Sequence, residues 1–264
     1  MNLRSSRRFF RAMPGIWPVY ALLIALNRSF GAAVGKWPTA LFRFLRDYRR
    51  LKSSDNRRAF KISPQFFLPC LTDNRSSTPI EPVYFFQDTW AAGRIFSLQP
   101  RRHYDVGSSV MTMAILSRWV PVTMVDIRPI DVCLDGLSFV KGSILDLPFA
   151  DSSIDSLSSL CVVEHIGLGR YGDALDHQGS EKAIAELKRV LSAGGNLLLS
   201  VPVDRECRVY FNAHRAFTPH YLMQLLDGMT VIEQRYQYGG ALFETYVPEK
   251  GFGTGLFHLR KLAQ

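Results

Sequence analysis

The chain has 264 residues, 47% of them hydrophobic, and a formal net charge of +9 at pH 7. That length and apolar content suit one principal domain with a sizeable core plus an appendage. The four cysteines, Cys70, Cys133, Cys161 and Cys207, lie far apart and lack the paired spacing of a zinc or dithiol site, and the six histidines show no close metal-ligand pairing, so no metal is expected. A reduced, cytosolic setting is the simpler reading.

The charge sits at the start of the chain. Residues 1–61 hold fourteen Lys or Arg against Asp47 and Asp55, which puts +12 on this arm and −3 on the remainder. A basic opening leads into an apolar run, Ile16 to Leu26, interrupted by Pro18 and followed at once by Arg28. The run is shorter than the roughly 20 residues that span a bilayer. Two readings stand for it: a helix on a membrane face whose arginines meet anionic headgroups, or a helical cap packed on the main domain. A second basic helix is predicted over Thr39–Lys52, with Leu41, Phe42, Phe44, Leu45, Tyr48 and Leu51 on one apolar side. No recognisable nucleic-acid module accompanies the charge, so nucleic acid is not the expected partner. Residues 53–82 are rich in Ser, Asn, Asp and Pro and connect rather than fold. The chain thus divides into a basic arm (1–61), a linker (62–82) and a principal domain (83–264).

Regular structure is predicted to resume from Val83, with a helix over Gln87–Phe96. The stretch His103–Ser109 then reads as a strand entering a glycine turn, and Asp126 follows Gly107 by nineteen residues at the end of the next apolar strand. A turn glycine lets backbone approach a ligand, while a carboxylate at that spacing accepts both hydroxyls of a ribose. The turn sequence lacks the further glycines that seat a dinucleotide pyrophosphate, which argues against a nicotinamide enzyme. Phe139–Phe149 reads as a short strand with a polar turn, and Ser153–Ile166 as a strand ending in Glu164 and His165. An amphipathic helix over Lys182–Leu191 is expected to stop at Gly194-Gly195, with a buried strand over Asn196–Val201 ended by Pro202. A long polar loop, a helix over Pro219–Leu226 and strands over Val231–Tyr236 and Gly255–Lys261 complete the domain.

Two loops carry groups suited to chemistry. His165 stands just beyond a strand, where a base working near neutral pH is placed, and the loop Gly167–Asp173 offers polar groups that suit a sugar or phosphate. Arg205, Arg208, Asn212, His214 and Arg215 cluster after the strand ending at Val201, with arginines able to grip an anion and His214 as an alternative base. Loop support is the other reading of the Glu164-His165 pair, and a solvated basic loop is the other reading of the arginine cluster.

Taken in order, DVGSS, VDIR, GSILDLPF, SIDSLSSLCVVEHI and LKRVLSAGGNLLLSVP resemble the successive motifs of the class I S-adenosylmethionine-dependent methyltransferases over residues 84–261. A closer likeness, through LSSLCVVEHIGLGRYGD and FNAHRAF, is to an uncharacterised methyltransferase-like group of bacteria and plants whose bacterial members accompany surface-polysaccharide genes. The sequence departs from the wider pattern at Ser109, where a second glycine is usual, and at Ser143, where an acid is common. The resemblance implies an α/β, Rossmann-like fold with a mainly parallel seven-stranded sheet, a reversed last strand and a helical N-terminal extension.

It also implies S-adenosylmethionine as cofactor. Asp105, Gly107 and Ser108 would hold the methionine part, with Cys161 nearby, and Asp126 the ribose. Ile127, Ile144 and Leu145 would enclose the adenine, and Ser143 would face its amino group. His165 and His214 are the candidate bases, and Glu164, Arg170, Tyr171, Arg205, Asn212 and Arg215 the candidate acceptor contacts. The acceptor would be a small or saccharide-linked molecule methylated at oxygen or nitrogen. The protein would be cytoplasmic or peripheral at the inner membrane face. The competing expectation is a catalytically inactive scaffold recruited to a membrane or a polysaccharide-synthesis assembly by its basic arm.

Overall fold

The computed structural model describes residues 37–54, 60–128 and 130–263. The apolar run Ile16–Leu26 and most of the basic arm lie outside these residues. Among the described residues, no helix is long and apolar enough to cross a membrane. The chain falls into two compact units that divide between Pro79 and Ile80.

In the first unit, helix α1 (Trp37–Ser54) is followed by a short 3-10 turn at Pro64–Phe66. Phe44 and Tyr48, one turn apart on the helix, meet the edge of Phe67 at ring distances of 5.0 and 4.8 Å.

The second unit is a three-layer α/β/α arrangement. Its helices are α2 (Pro82–Leu98), α3 (Val110–Leu116), α4 (Gly179–Val190) and α5 (Pro219–Leu225). Strands β1 (His103–Val106), β2 (Val122–Asp126), β3 (Leu137–Lys141), β4 (Ile154–Leu160) and β5 (Leu191–Val203) run parallel. Strands β8 (Met229–Tyr238), β9 (Ala241–Phe243) and β10 (Gly253–Lys261) complete the sheet in the order β3-β2-β1-β4-β5-β10-β8-β9. A separate hairpin, β6 (Arg208–Tyr210) with β7 (His214–Ala216), follows β5. β10 is antiparallel to both of its neighbours, as the reversed last strand requires.

Alternation along the strands feeds two cores. Leu197, Leu199 and Val201 of β5 face α4 and α5 through Ile184, Leu187, Val190 and Leu222, while Leu198 faces α2 and α3 through Trp90, Ile95, Met113 and Leu116. Both faces are therefore covered, which is why the parallel strands read as near-continuous apolar runs.

Helix α2, β4 and β8 differ from expectation in their ends, and three further departures have a clear physical cause. Helix α4 ends at Val190, and Leu191 already has extended backbone; the Gly194-Gly195 pair instead forms a bulged excursion, since Ile154 pairs with Leu191 but Ser156 with Asn196. Pro202 does not end β5, because its carbonyl accepts from the Phe217 N–H at 3.0 Å and its missing donor is not called on. The sheet has eight strands rather than seven: Tyr238 pairs with Ala241 across Gly239-Gly240, a two-residue hairpin turn that adds β9.

Beneath the first strand lies a buried polar chain. Ser158 Oγ donates to Asp105 Oδ2 at 2.5 Å, so its oxygen accepts from His103 Nε2 at 2.9 Å, and His103 Nδ1 then accepts from Ser156 Oγ at 2.8 Å. Burial holds His103 neutral, with its pKa lowered to about 3. These bonds pin β1 to β4 at the register Asp105↔Ser158.

Candidate functional site

Strand register brings the motif residues level. Val106 pairs with Val125 and Asp126 with Lys141, so Gly107, Asp126 and the Gly142-Ser143 turn emerge side by side at the carboxyl edge of the sheet, with Cys161 following β4. Ligands of open α/β sheets bind beyond this edge, where the strand order reverses. A cavity there is lined by Gly107, Asp126, Ile127, Ser143, Ile144, Leu145, Cys161, His165 and Tyr171, all of them candidates on sequence grounds.

The glycine turn is sterically demanded. Gly107 has φ +73°, and a Cβ there would stand 2.9 Å from Val162 Cγ1, so the backbone is open on the cavity side only because no side chain exists. Asp105 does not line the cavity. It is buried below the turn and accepts from the Ser108 N–H at 3.0 Å. Ser108 also works from behind, its Oγ accepting from the Leu160 N–H at 2.9 Å. Ser109 has ordinary extended φ/ψ and caps α3, accepting from the Thr112 N–H, so the helix start has a use for a hydroxyl where a second glycine is common. Ser143 Oγ accepts from the Leu145 N–H at 3.1 Å and braces its own turn.

Asp126 is paired with its near neighbour. Arg128 donates to it through the backbone N–H (2.8 Å), Nε (3.2 Å) and Nη2 (3.1 Å). The same guanidinium lies 4.9 Å over the Tyr171 ring, and Arg170 lies 5.1 Å from that ring. Tyr171 reaches this place on the loop Gly167–Asp173, folded over the cavity by Asp173, whose carboxylate accepts from the N–H groups of Gly167, Gly169 and Tyr171. Gly167 has φ +82°, and a Cβ would come 2.1 Å from the Asp176 carbonyl.

His165 Nδ1 lies 2.6 Å from the Ala213 carbonyl, an acceptor only, so Nδ1 carries the proton and Nε2 keeps its lone pair. Burial lowers its pKa, and the positive charge of Arg170 and contact with His214 add to this against the raising effect of the Ala213 bond. The His214 ring is 6.4 Å away and joins an aromatic group with Tyr210 (5.0 Å) and Phe252 (5.4 Å). His214 does not line the cavity.

The candidate acceptor contacts separate. Tyr171 lines the cavity and Arg170 sits beside it, donating to the Ala213 carbonyl at 3.0 Å. Glu164 is buried in the turn after β4. Arg205 donates to the Pro248 carbonyl, and Asn212 occupies the β6–β7 hairpin turn with φ +27°. Arg215 points inward, its guanidinium spent on the carbonyls of Ile166, Asp176 and His177 and on Ser180 Oγ, which ties the loop to α4. Sequence reasoning passes over Arg128 as a partner of Asp126, Asp173 as the loop organiser, and Tyr210 and Phe252. An aspartate closing a glycine-spaced loop is a usable signal for Asp173; the aromatic group joins distant segments and has none. Among the described residues no cluster of metal-ligating side chains occurs.

Known proteins place this architecture. Residues 147–240 match the family model described as a Caenorhabditis protein of unknown function, DUF268. A protein of Encephalitozoon cuniculi (strain GB-M1) named as a candidate methyltransferase is 36% identical over 66 residues, spanning 25% of this chain and 28% of that protein. Among solved structures, the 1,6-didemethyltoxoflavin-N1-methyltransferase of Burkholderia thailandensis, with bound S-adenosylhomocysteine, matches with a TM-score of 0.50 at 16% identity, covering 88% of this chain and 92% of that one. The N-methyltransferase NodS of Bradyrhizobium japonicum, in complex with S-adenosylhomocysteine, gives a TM-score of 0.50 at 16% identity over 81% of this chain and 97% of that one. The [4+2]-cyclase SpnF gives 0.51 at 16% identity over 67% of this chain and 81% of that one. The second unit has the Rossmann-like class I methyltransferase fold. A cyclase among the neighbours shows that the fold alone does not decide the reaction.

Proposed function

We propose that the protein is an S-adenosylmethionine-dependent methyltransferase acting at oxygen or nitrogen of a small-molecule or saccharide-linked acceptor. The observation that carries this reading is the row Gly107, Asp126, Ser143–Leu145 and Cys161, which strand register sets along one cavity at the carboxyl edge of the sheet. The residues suit the cofactor: Asp126 offers a carboxylate to a ribose diol, Ile127, Ile144 and Leu145 an apolar slot for a purine, and Gly107 bare backbone for the chain beyond the sugar.

The cofactor, when bound, supplies a methyl group on a sulfonium, an electrophile that needs no covalent help from the protein. What the chain contributes is alignment, exclusion of water and removal of the acceptor's proton. His165 is suited to taking that proton, because it is neutral, its Nδ1–H is fixed on Ala213, and its Nε2 lone pair is free. Tyr171 and Asp173 of the loop Gly167–Asp173 form one wall of the cavity.

Calorimetric titration with S-adenosylhomocysteine tests this reading. Saturable one-to-one binding in the micromolar range is expected; absence of heat at millimolar ligand would refute it. The Arg128 guanidinium engages both Asp126 oxygens, so a diol has to displace it, and a surface pair of this kind is worth up to about 1 kcal/mol. Arg128→Ala is therefore expected to tighten S-adenosylhomocysteine by roughly two- to fivefold. Weaker binding in that variant would show that the guanidinium itself supports the ligand.

A further inference from the structure

Glu164 is 1% exposed, and its Oε2 has no hydrogen-bond partner among the described residues. Its Oε1 is 3.6 Å from His165 Nε2, too far for a hydrogen bond, and among the described residues the side chain that bonds to it is the thiol of Cys161. The groups around it are Tyr84 of α2, Cys161 at the end of β4, His165 beside it and Arg170 of the next loop, with Asp88 of α2 acting on Cys161. None brings a positive charge into bonding contact, since Arg170 donates to Ala213 and lies against Tyr171. A buried carboxyl with an open oxygen is rare unless something else completes it.

Its position says what that is. Cys161, three residues before Glu164, and His165, next to it, both line the nucleoside cavity, although the Glu164 side chain itself does not. Asp126 ends β2 and Cys161 follows β4, with β1 between them, so the two lie about two strand spacings apart, about 10 Å. With the purine assigned to Ile127, Ile144 and Leu145 on the β3 side of Asp126, the rest of the ligand extends towards β1 and β4.

We propose that Glu164 is the receptor for a protonated amine, which brings both a charge and up to three donors to the open carboxyl. The inference rests on the nucleoside reading of the cavity. The amine has two possible sources with one chemistry: the amino-acid tail of the cofactor, or an amine on the methyl acceptor. Burial pushes the Glu164 carboxyl up to about 8, so at pH 7 it is mostly protonated before the amine arrives. The ammonium keeps its own protons. The carboxyl's proton leaves to solvent, and the amine therefore binds more tightly as pH rises from 6 towards 8.

The test compares S-adenosylhomocysteine with 5′-methylthioadenosine, which keeps the nucleoside and thioether but lacks the amino acid, in wild type and Glu164→Gln. If the tail is the source, wild type at pH 7 releases close to one proton per S-adenosylhomocysteine, read as calorimetric heats in buffers of different ionisation enthalpy, and none for 5′-methylthioadenosine. Glu164→Gln then loses about 10- to 50-fold in affinity for S-adenosylhomocysteine alone, and its proton release disappears. If the acceptor is the source, S-adenosylhomocysteine is unaffected, but propylamine titrated into the S-adenosylhomocysteine complex binds with proton release in wild type and not in Glu164→Gln. Retained 5′-methylthioadenosine binding shows that the variant is folded. Equal loss of both nucleosides, or no dependence of either amine arm on Glu164, would overturn the assignment. Wild type that binds neither nucleoside would remove the cofactor reading and this inference with it.

Discussion

Replacing Asp126 with alanine is expected to weaken S-adenosylhomocysteine by about 100- to 1,000-fold, because two charge-assisted hydrogen bonds to a diol are lost together. Stability should hardly change. The Asp126 side chain stands at the cavity rim, and among the described residues its side-chain partner is Arg128, itself 61% exposed, so the lost pair is of the weak surface kind. A melting temperature within a few degrees of wild type, measured beside the titration, separates loss of a ligand contact from loss of structure. Affinity preserved within fivefold in the folded variant would mean that the nucleoside is held elsewhere.

Asp105→Ala is expected to act through the fold. The side chain is fully buried and accepts from both the Ser108 N–H and the Ser158 hydroxyl; deleting it strands one half-buried and one buried donor and cuts the chain that runs through His103 to Ser156. The cost is about 2–4 kcal/mol, read by thermal or denaturant unfolding. Asp105→Asn should be far milder, since its carbonyl oxygen still accepts from Ser108. The two variants also differ in pH response. Burial raises the Asp105 carboxyl to about 6 from 3.8, so the stability linked to its protonated form is present at low pH and fades as pH rises through 6. The asparagine variant should therefore gain on wild type between pH 4 and 7. A loss from Asp105→Ala below about 1 kcal/mol would show that the Ser108 turn is held by other bonds.

Much of the sheet is legible in the sequence because parallel strands covered on both faces are written as apolar runs, as in Val122–Asp126 and Asn196–Val201, and because register converts one glycine and one aspartate into neighbours. The parts that are not legible depend on partners distant in sequence or on turns that imitate other signals. Gly194-Gly195 reads as a helix stop, yet Leu191 is drawn into the sheet by its pairing with Ile154. Arg215 sits among polar loop residues and reads as an anion contact, whereas the carbonyls that claim it come from residues 166, 176 and 177. Tyr210, His214 and Phe252 meet only because the β6–β7 hairpin and the approach to β10 converge. Ser109 departs from the familiar glycine pattern, and its capping bond to Thr112 supplies the physical reason.

A crystal structure of the protein grown with S-adenosylhomocysteine tests the central claim most directly. The ribose hydroxyls are expected on the Asp126 carboxylate, the purine among Ile127, Ile144 and Leu145, and the thioether over Gly107, with Arg128 moved off Asp126. A nucleoside bound away from this edge, or Asp126 still locked to Arg128 beneath a bound ligand, would contradict it.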